Sequence, residues 1–355
     1  MPRTTLLYHV ASVILAPGWA FKLGYSLKTA PVARSTTQIF NGYPQSEFDL
    51  SPSNPSKSEL VLPPGFQPAE PQPLTVTGDW GTVASASFAL ALRLGCGTTV
   101  VGWRPEFSLS PPPQGEYALQ LGPVFLSDSS AVLRGECPRP EGRLILYEFD
   151  SSPFCRKVRD ACAYLDLEVL LLPCPGALEA AGFSDEHFAK TGRRTVPYFI
   201  DEGAGTSMFE SEVIVNYLFR KYGPPGAEVP AAMQGTVALV SAGAAAIARL
   251  MPAAKLQVDA RQDNPSRQPL LLYGYESSPF VRPVREKLCA LGLPHVMVNS
   301  ARGSVQRKLL MARTRKQFQV PYLVDPNTGV EMFESIDIRK YLDKVYTTTG
   351  YTPLE

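Results

Sequence analysis

The chain has few histidines, no paired-cysteine motif, no acid near its start and no apolar run long enough to cross a bilayer. Each absence narrows what it can do. Three histidines in 355 residues leave no His-rich cluster, and the six cysteines, at positions 96, 137, 155, 162, 174 and 289, form neither a CxxC pair nor a regular spacing. Neither a zinc site nor a disulfide framework is expected. The 34 basic residues are balanced by 33 acidic ones, so no global field points to nucleic acid or to an anionic membrane. Residues 83–103 come nearest to a membrane span, but Arg93 interrupts them before the roughly 18 uncharged residues a span needs. The partial alternation of Phe88, Leu90, Leu92 and Leu94 does not separate helix from strand. It fits a helix packed on the following domain, and also a helix in peripheral contact with a membrane or a partner.

No acid precedes Glu47, whereas Arg3, Lys22, Lys28 and Arg34 lie among scattered Ser and Thr. That composition reads residues 1–46 as an organelle transit peptide. An ordinary disordered terminus is the alternative, and residues 6–16 as the apolar core of a secretory signal rank lower. Residues 47–76, rich in Pro and Ser, read as a linker that need not pack, and residues 77–142 as an N-terminal extension. The length allows two or three domains.

What the chain does contain is an internal repeat. Residues 143–222 and 269–346 carry the same marks in the same order. Leu144-Ile145-Leu146-Tyr147 precedes Ser151-Ser152-Pro153-Phe154-Cys155-Arg156-Lys157-Val158-Arg159, and Leu270-Leu271-Leu272-Tyr273 precedes Ser277-Ser278-Pro279-Phe280-Val281-Arg282-Pro283-Val284-Arg285. Thr195-Val196-Pro197-Tyr198 and Met208-Phe209-Glu210-Ser211 then answer to Gln319-Val320-Pro321-Tyr322 and Met332-Phe333-Glu334-Ser335, with proline and glutamate thirteen residues apart in both copies (210 − 197 and 334 − 321). Alternating strand and helix over some eighty residues implies an α/β unit with a mixed sheet. A proline at a strand entrance implies a bend with a candidate cis bond. Ser211 and Ser335 are candidate N-caps of the last helices, whose free N–H groups suit an anion.

Together these motifs resemble the N-terminal domain of glutathione transferases and the glutaredoxins. More closely, the chain is similar to plastid proteins of plants and algae that carry two such domains in tandem, a likeness extended by Leu62-Pro63-Pro64-Gly65-Phe66 and by Tyr117-Ala118-Leu119-Gln120-Leu121-Gly122. The resemblance implies two thioredoxin-like domains with mixed four-stranded sheets, at 143–222 and 269–346, joined by a linker with one helix at 223–268, in a chloroplast protein. It implies glutathione as ligand, bound by Val196, Pro197, Glu210 and Ser211 in the first domain and by Val320, Pro321, Glu334 and Ser335 in the second. Glutaredoxin-like members place a nucleophilic cysteine where this chain has Ser152 and Ser278, and a second cysteine where it has Cys155 and Val281, so the dithiol is lost.

The catalytic candidates are therefore Ser152, Ser278 and Cys155. A serine hydroxyl donating to the glutathione sulfur would have to lower a thiol pKa by about two units, roughly 2.7 kcal/mol. A helix start and a charge-assisted hydrogen bond can supply that much, and Ser278 is the closer match to serine-type transferases. Cys155 is flanked by basic residues that favour a thiolate, but one turn into a helix it is expected to face inward. The region between the repeats offers one small-residue helix at 236–250, too little for the all-helical domain that gives transferases their electrophile pocket. A glutathione-dependent enzyme, a binding or redox-sensing module and a structural scaffold all remain open. In the second copy Arg302, Arg307, Lys308, Arg313, Arg315 and Lys316 form a basic stretch, read as a solvated face or as a docking face for the other unit or an acidic partner. No aromatic interleaving suggests nucleic acid.

Overall fold

The structure, a computed structural model, describes residues 60, 62–72, 80–92, 96–111, 119–176, 181–247, 249, 253–261, 267–316 and 318–350. The leader at 1–46 and most of the linker at 47–76 lie outside the described residues. The fold is mixed α/β. In the first copy β4 (Leu144–Glu148), α2 (Pro153–Tyr164), β5 (Val169–Pro173), α3 (Ser184–Thr191), β6 (Tyr198–Asp201), β7 (Thr206–Phe209) and α4 (Ser211–Tyr222) follow one another. The second copy repeats them as β8 (Leu270–Gly274), α6 (Val281–Ala290), β9 (His295–Asn299), α7 (Val305–Thr314), β10 (Tyr322–Asp325), β11 (Val330–Phe333) and α8 (Ser335–Tyr346). Upstream, α1 (Trp80–Leu92) precedes a three-stranded antiparallel sheet of β1 (Arg104–Ser108), β3 (Val124–Ser129) and β2 (Leu119–Leu121). Between the copies stands α5 (Gly235–Ile247).

Two separate four-stranded sheets are expected from the resemblance, but the strands form one sheet of eight, in the order β11-β10-β8-β9-β5-β4-β6-β7. The seam is the antiparallel pair β5 and β9, with Val169 opposite Met297, Leu170 opposite Val296 and Leu171 opposite His295. Position 170 and position 296 correspond in the repeat, so each half meets the other through the same residue, as in an isologous dimer built into one chain. β5 is buried along its whole length and β9 nearly so. An apolar strand of that kind left as an edge would invite pairing with other chains; the duplication gives it a partner. One core cluster runs across the seam, from Ile145, Leu170 and Leu172 to Val296, Val298 and Leu310.

In each half one buried aspartate ties the last hairpin to the last helix. Asp201 accepts from Tyr217 at 2.8 Å and from Tyr222; Asp325 accepts from Tyr341 at 2.5 Å and Tyr346 at 2.7 Å. These bonds anchor the middle and the last residue of α4 and α8 to the hairpin. On the helical face α5, rich in alanine and without charge, packs against α2 and α1, and α1 touches α6. Arg249 joins these layers: its guanidinium binds Glu286 on α6 as well as the Thr82 carbonyl and the Ser85 hydroxyl on α1. Packing of 80–92 on its own chain accords with the first of the two readings of that stretch. Among the described residues no helix is long and apolar enough to cross a membrane.

Where α2 and α6 meet over the seam, a charge lattice is enclosed. Arg285 reaches Asp150 of the other half at 2.5 Å and Glu276 of its own at 2.7 Å. Arg159, its repeat counterpart, reaches Glu276 at 3.3 Å, Asp150 at 3.4 Å and Glu148. All five side chains are at most 3% exposed. Burial alone would raise the Asp150 carboxyl, but Arg285, Arg159 and Arg282 outweigh it and hold the group below the carboxylate range. For Glu148, burial wins over Arg159 and pushes the carboxyl up to about 7. Burial likewise pushes His295, on the seam, down to about 4.

These last two groups act in opposite senses on stability. Between about 4.5 and 7 folded Glu148 holds a proton that the unfolded chain has released, so its contribution is complete below 4.5 and is lost as pH rises through 7. Folded His295 lacks a proton that the unfolded chain binds below 6.5, so its contribution is complete above 6.5 and is lost as pH falls through 4. The slopes, each about 1.4 kcal/mol per pH unit for a full proton, oppose one another from pH 4.5 to 6.5. Burial also pushes Glu168 up to about 7, so Glu148→Gln removes one of two slopes that oppose the histidine, and urea midpoints are expected to rise across that window more steeply than in the parent. Parallel profiles would contradict the assignment.

Candidate functional site

The bonds Val196–Pro197 and Val320–Pro321 are both cis. Each places a half-buried valine backbone at the entrance of a strand, beside the start of the last helix. Glu210 and Glu334 stand immediately before that helix with φ 68°, ψ 113° and φ 70°, ψ 113°. The glutamates, rather than Ser211 and Ser335, are thus the N-cap residues, and neither side chain caps its helix. The serines are the first helical residues, Ser211 buried and Ser335 half-buried. A non-glycine residue at such a φ is sterically costly and persists only where its surroundings enforce it, a condition concentrated at ligand sites. Both copies enforce it in the same way.

In the first copy Glu210 is exposed, and among the described residues no hydrogen bond or ion pair engages its carboxylate. His187 supports the loop that enters the cis bond. It is fully buried, lies against the Tyr147 and Tyr198 rings, and its Nε2, in the tautomer that carries a hydrogen there, donates to the Thr195 carbonyl at 3.0 Å. Arg193 stands over the Phe209 ring, 5.2 Å from its centre, next in sequence to Glu210. Lys157, buried on α2, pairs with Glu212 beside Ser211 and so ties α2 to the start of α4. A carboxylate, strand-like backbone, helix N–H groups and a guanidinium thus lie together where β6 begins and β7 ends, a donor and acceptor set for an extended zwitterionic peptide.

The catalytic candidates are placed differently. Ser152 is 4% exposed and Ser278 1%. Each hydroxyl accepts a helix-start N–H at 3.3 Å, from Cys155 and from Val281 respectively. Cys155 is fully buried, and burial pushes its thiol up to about 12, so it is not a thiolate at neutral pH. All three side chains are covered rather than open beside the Val-Pro and Glu-Ser pairs. Among the described residues no group of His, Cys, Asp and Glu could hold a metal ion.

The basic stretch of the second copy meets acids of its own chain. Arg302 lies 3.2 Å from Asp128, Arg307 3.8 Å from Asp128, Arg313 2.5 Å from Glu331, and Lys316 pairs with Glu70. Asp128 belongs to the extension and Glu70 to the linker before it, so this face meets both upstream segments. Sequence reading missed two features: residues 66–72 at the second site and the charge lattice. The lattice had a signal, because Asp150, Arg156 and Arg159 recur as Glu276, Arg282 and Arg285 at positions where a helix covers a sheet.

Residues 146–226 and 272–350 each match the family model described as Glutathione S-transferase, N-terminal domain. No curated protein and no solved structure matches the chain.

Proposed function

From two tandem segments similar to the glutathione S-transferase N-terminal domain, we propose that this protein binds glutathione at the Val-Pro and Glu-Ser pairs of its first copy and serves as a binding or redox-sensing module rather than as a transferase. The observation that carries this reading is the exposed, conformationally enforced Glu210 beside a cis Val196–Pro197 bond. The cysteinyl backbone of the tripeptide would pair with Val196. Its γ-glutamyl ammonium would meet the Glu210 carboxylate, and the carboxylate of the same residue the N–H groups and hydroxyl at Ser211. Arg193 supplies positive charge for the glycine end. Burial of Ser152, Ser278 and Cys155 argues against turnover, since none of these three groups is open to activate the bound sulfur. The acid-poor leader supports action in the plastid.

Titration calorimetry of the full chain with reduced glutathione tests the reading. Binding is expected in the parent, with affinity reduced roughly 10- to 100-fold in Glu210→Gln, the loss of one charge-assisted hydrogen bond of about 1.5–3 kcal/mol. No chloronitrobenzene conjugation above background is expected. Absence of binding at millimolar glutathione would defeat the proposal, and conjugation abolished by Ser152→Ala would restore the enzyme reading.

A further inference from the structure

The second copy repeats the framework, but its surroundings differ. Leu60, Leu62, Phe66 and Ala69 pack on the core of the second copy, with the Phe66 and Tyr341 rings 5.4 Å apart. The Phe333 amide donates to the Ala69 carbonyl at 2.9 Å, so the segment lies against β11, the end strand of the sheet. Three residues later the Gln72 amide donates to Glu334 Oε1 at 2.8 Å. Gln319, the residue before Val320-Pro321, closes the arrangement: its Nε2 donates to the Gln72 carbonyl at 3.0 Å and to Glu334 Oε1 at 2.7 Å.

We infer that residues 66–72 are an internal occupant of the second site, which leaves one glutathione site per chain, at Glu210. The inference rests on the glutathione reading of the framework. The Gln72 N–H sits on the carboxylate oxygen where that reading puts the γ-glutamyl ammonium, and the Ala69 carbonyl pairs with the β11 backbone at the sheet edge as a peptide ligand's would. The contrast between the copies is direct. Glu334 and Phe333 are covered to a greater degree than Glu210 and Phe209, and among the described residues the first copy has no counterpart of Gln72. Gln319 stands where the first copy has Thr195, whose shorter side chain carries no amide to clamp a passing strand. Tethering decides the competition. An occupant on the same chain is presented at an effective concentration of the order of millimolar, and the prolines at 63, 64, 68 and 71 reduce the entropy lost when the segment is ordered.

Two measurements on the full chain test this. Calorimetry with reduced glutathione, at concentrations that just saturate the parent, should give one site in the parent and none in Glu210→Gln, whose site is then roughly 10- to 100-fold too weak to register. A triple variant, Glu210→Gln with Gln72→Pro and Gln319→Ala, removes the clamp without touching the core and should regain one site. Hydrogen exchange without ligand should show the Gln72 amide protected in the parent and exchanging at least tenfold faster in Glu334→Ala. Two sites in the parent, or one site lost with Glu334→Gln and kept with Glu210→Gln, would overturn closure and leave the glutathione reading standing. Failure of the triple variant to bind while the parent binds once would overturn closure as well. No binding by any variant would overturn the glutathione reading and this inference with it, whereas an unprotected Gln72 amide would overturn the clamp alone.

Discussion

Arg285→Ala is expected to lower the free energy of unfolding by about 3–5 kcal/mol. The guanidinium bridges Asp150 of one half and Glu276 of the other and is itself fully buried. Its removal leaves two buried carboxylates, with Arg159 still reaching both and only the more distant Arg156 and Arg282 besides. The cost is the penalty of an uncompensated buried charge, not the net worth of the ion pairs, which is small once the desolvation of all partners is counted. Arg285→Lys should recover only part of the loss, because an ammonium cannot reach two carboxylates with a planar fork. Urea unfolding followed by circular dichroism measures both, and a change under 1 kcal/mol for Arg285→Ala would show that water reaches the cluster. Because the lattice spans the seam, the variant should also loosen one half from the other. Faster amide exchange in β5 and β9 than in β6 and β10 would report it.

Glu210→Gly is expected to stabilise the fold while weakening glutathione binding. At φ 68°, ψ 113° a side chain strains the backbone by about 1–3 kcal/mol. Glycine removes that strain but loses more conformational freedom on folding, about 0.5–1 kcal/mol, so a net gain of about 1 kcal/mol remains. The carboxylate is lost at the same time, and affinity should fall roughly 10- to 100-fold. Greater stability with weaker binding is the signature of a residue kept for its ligand. Glu334→Gly provides the contrast, since its gain is offset by the bonds to Gln72 and Gln319. Thermal unfolding and calorimetry on the two variants check this, and a destabilised Glu210→Gly would mean that the conformation is not strained.

Much of this was legible in the residues because it was written twice. The Ser-Pro helix starts, the Val-Pro pairs and the glutamates thirteen residues beyond them recur with the same spacing, and each sits near a local conformational event: a helix cap, a cis bond, a residue with positive φ. The repeat also marked the charged positions of α2 and α6, although charge on a helix reads by default as a solvated face. In α2 and α6 those charges are buried, because the second half of the chain covers the face that a single domain would leave wet. The assignment of Ser211 and Ser335 as N-caps was off by one residue, since serine is the better cap by propensity but the positive φ that marks the end of the preceding chain falls on Glu210 and Glu334.

The sequence by itself determined the two α/β units, their order and the residues of the proposed binding framework, because helix and strand periods and proline geometry are local properties that a duplication displays side by side. Only the tertiary structure decided that the two sheets are one, that four arginines and their carboxylates are sealed between α2 and α6, and that the two frameworks differ in access. Pairing of β5 with β9 depends on two apolar edges more than a hundred residues apart finding each other. The covering of Glu334 depends on a backbone amide at Gln72, a group that every residue except proline carries and that no sequence pattern can single out.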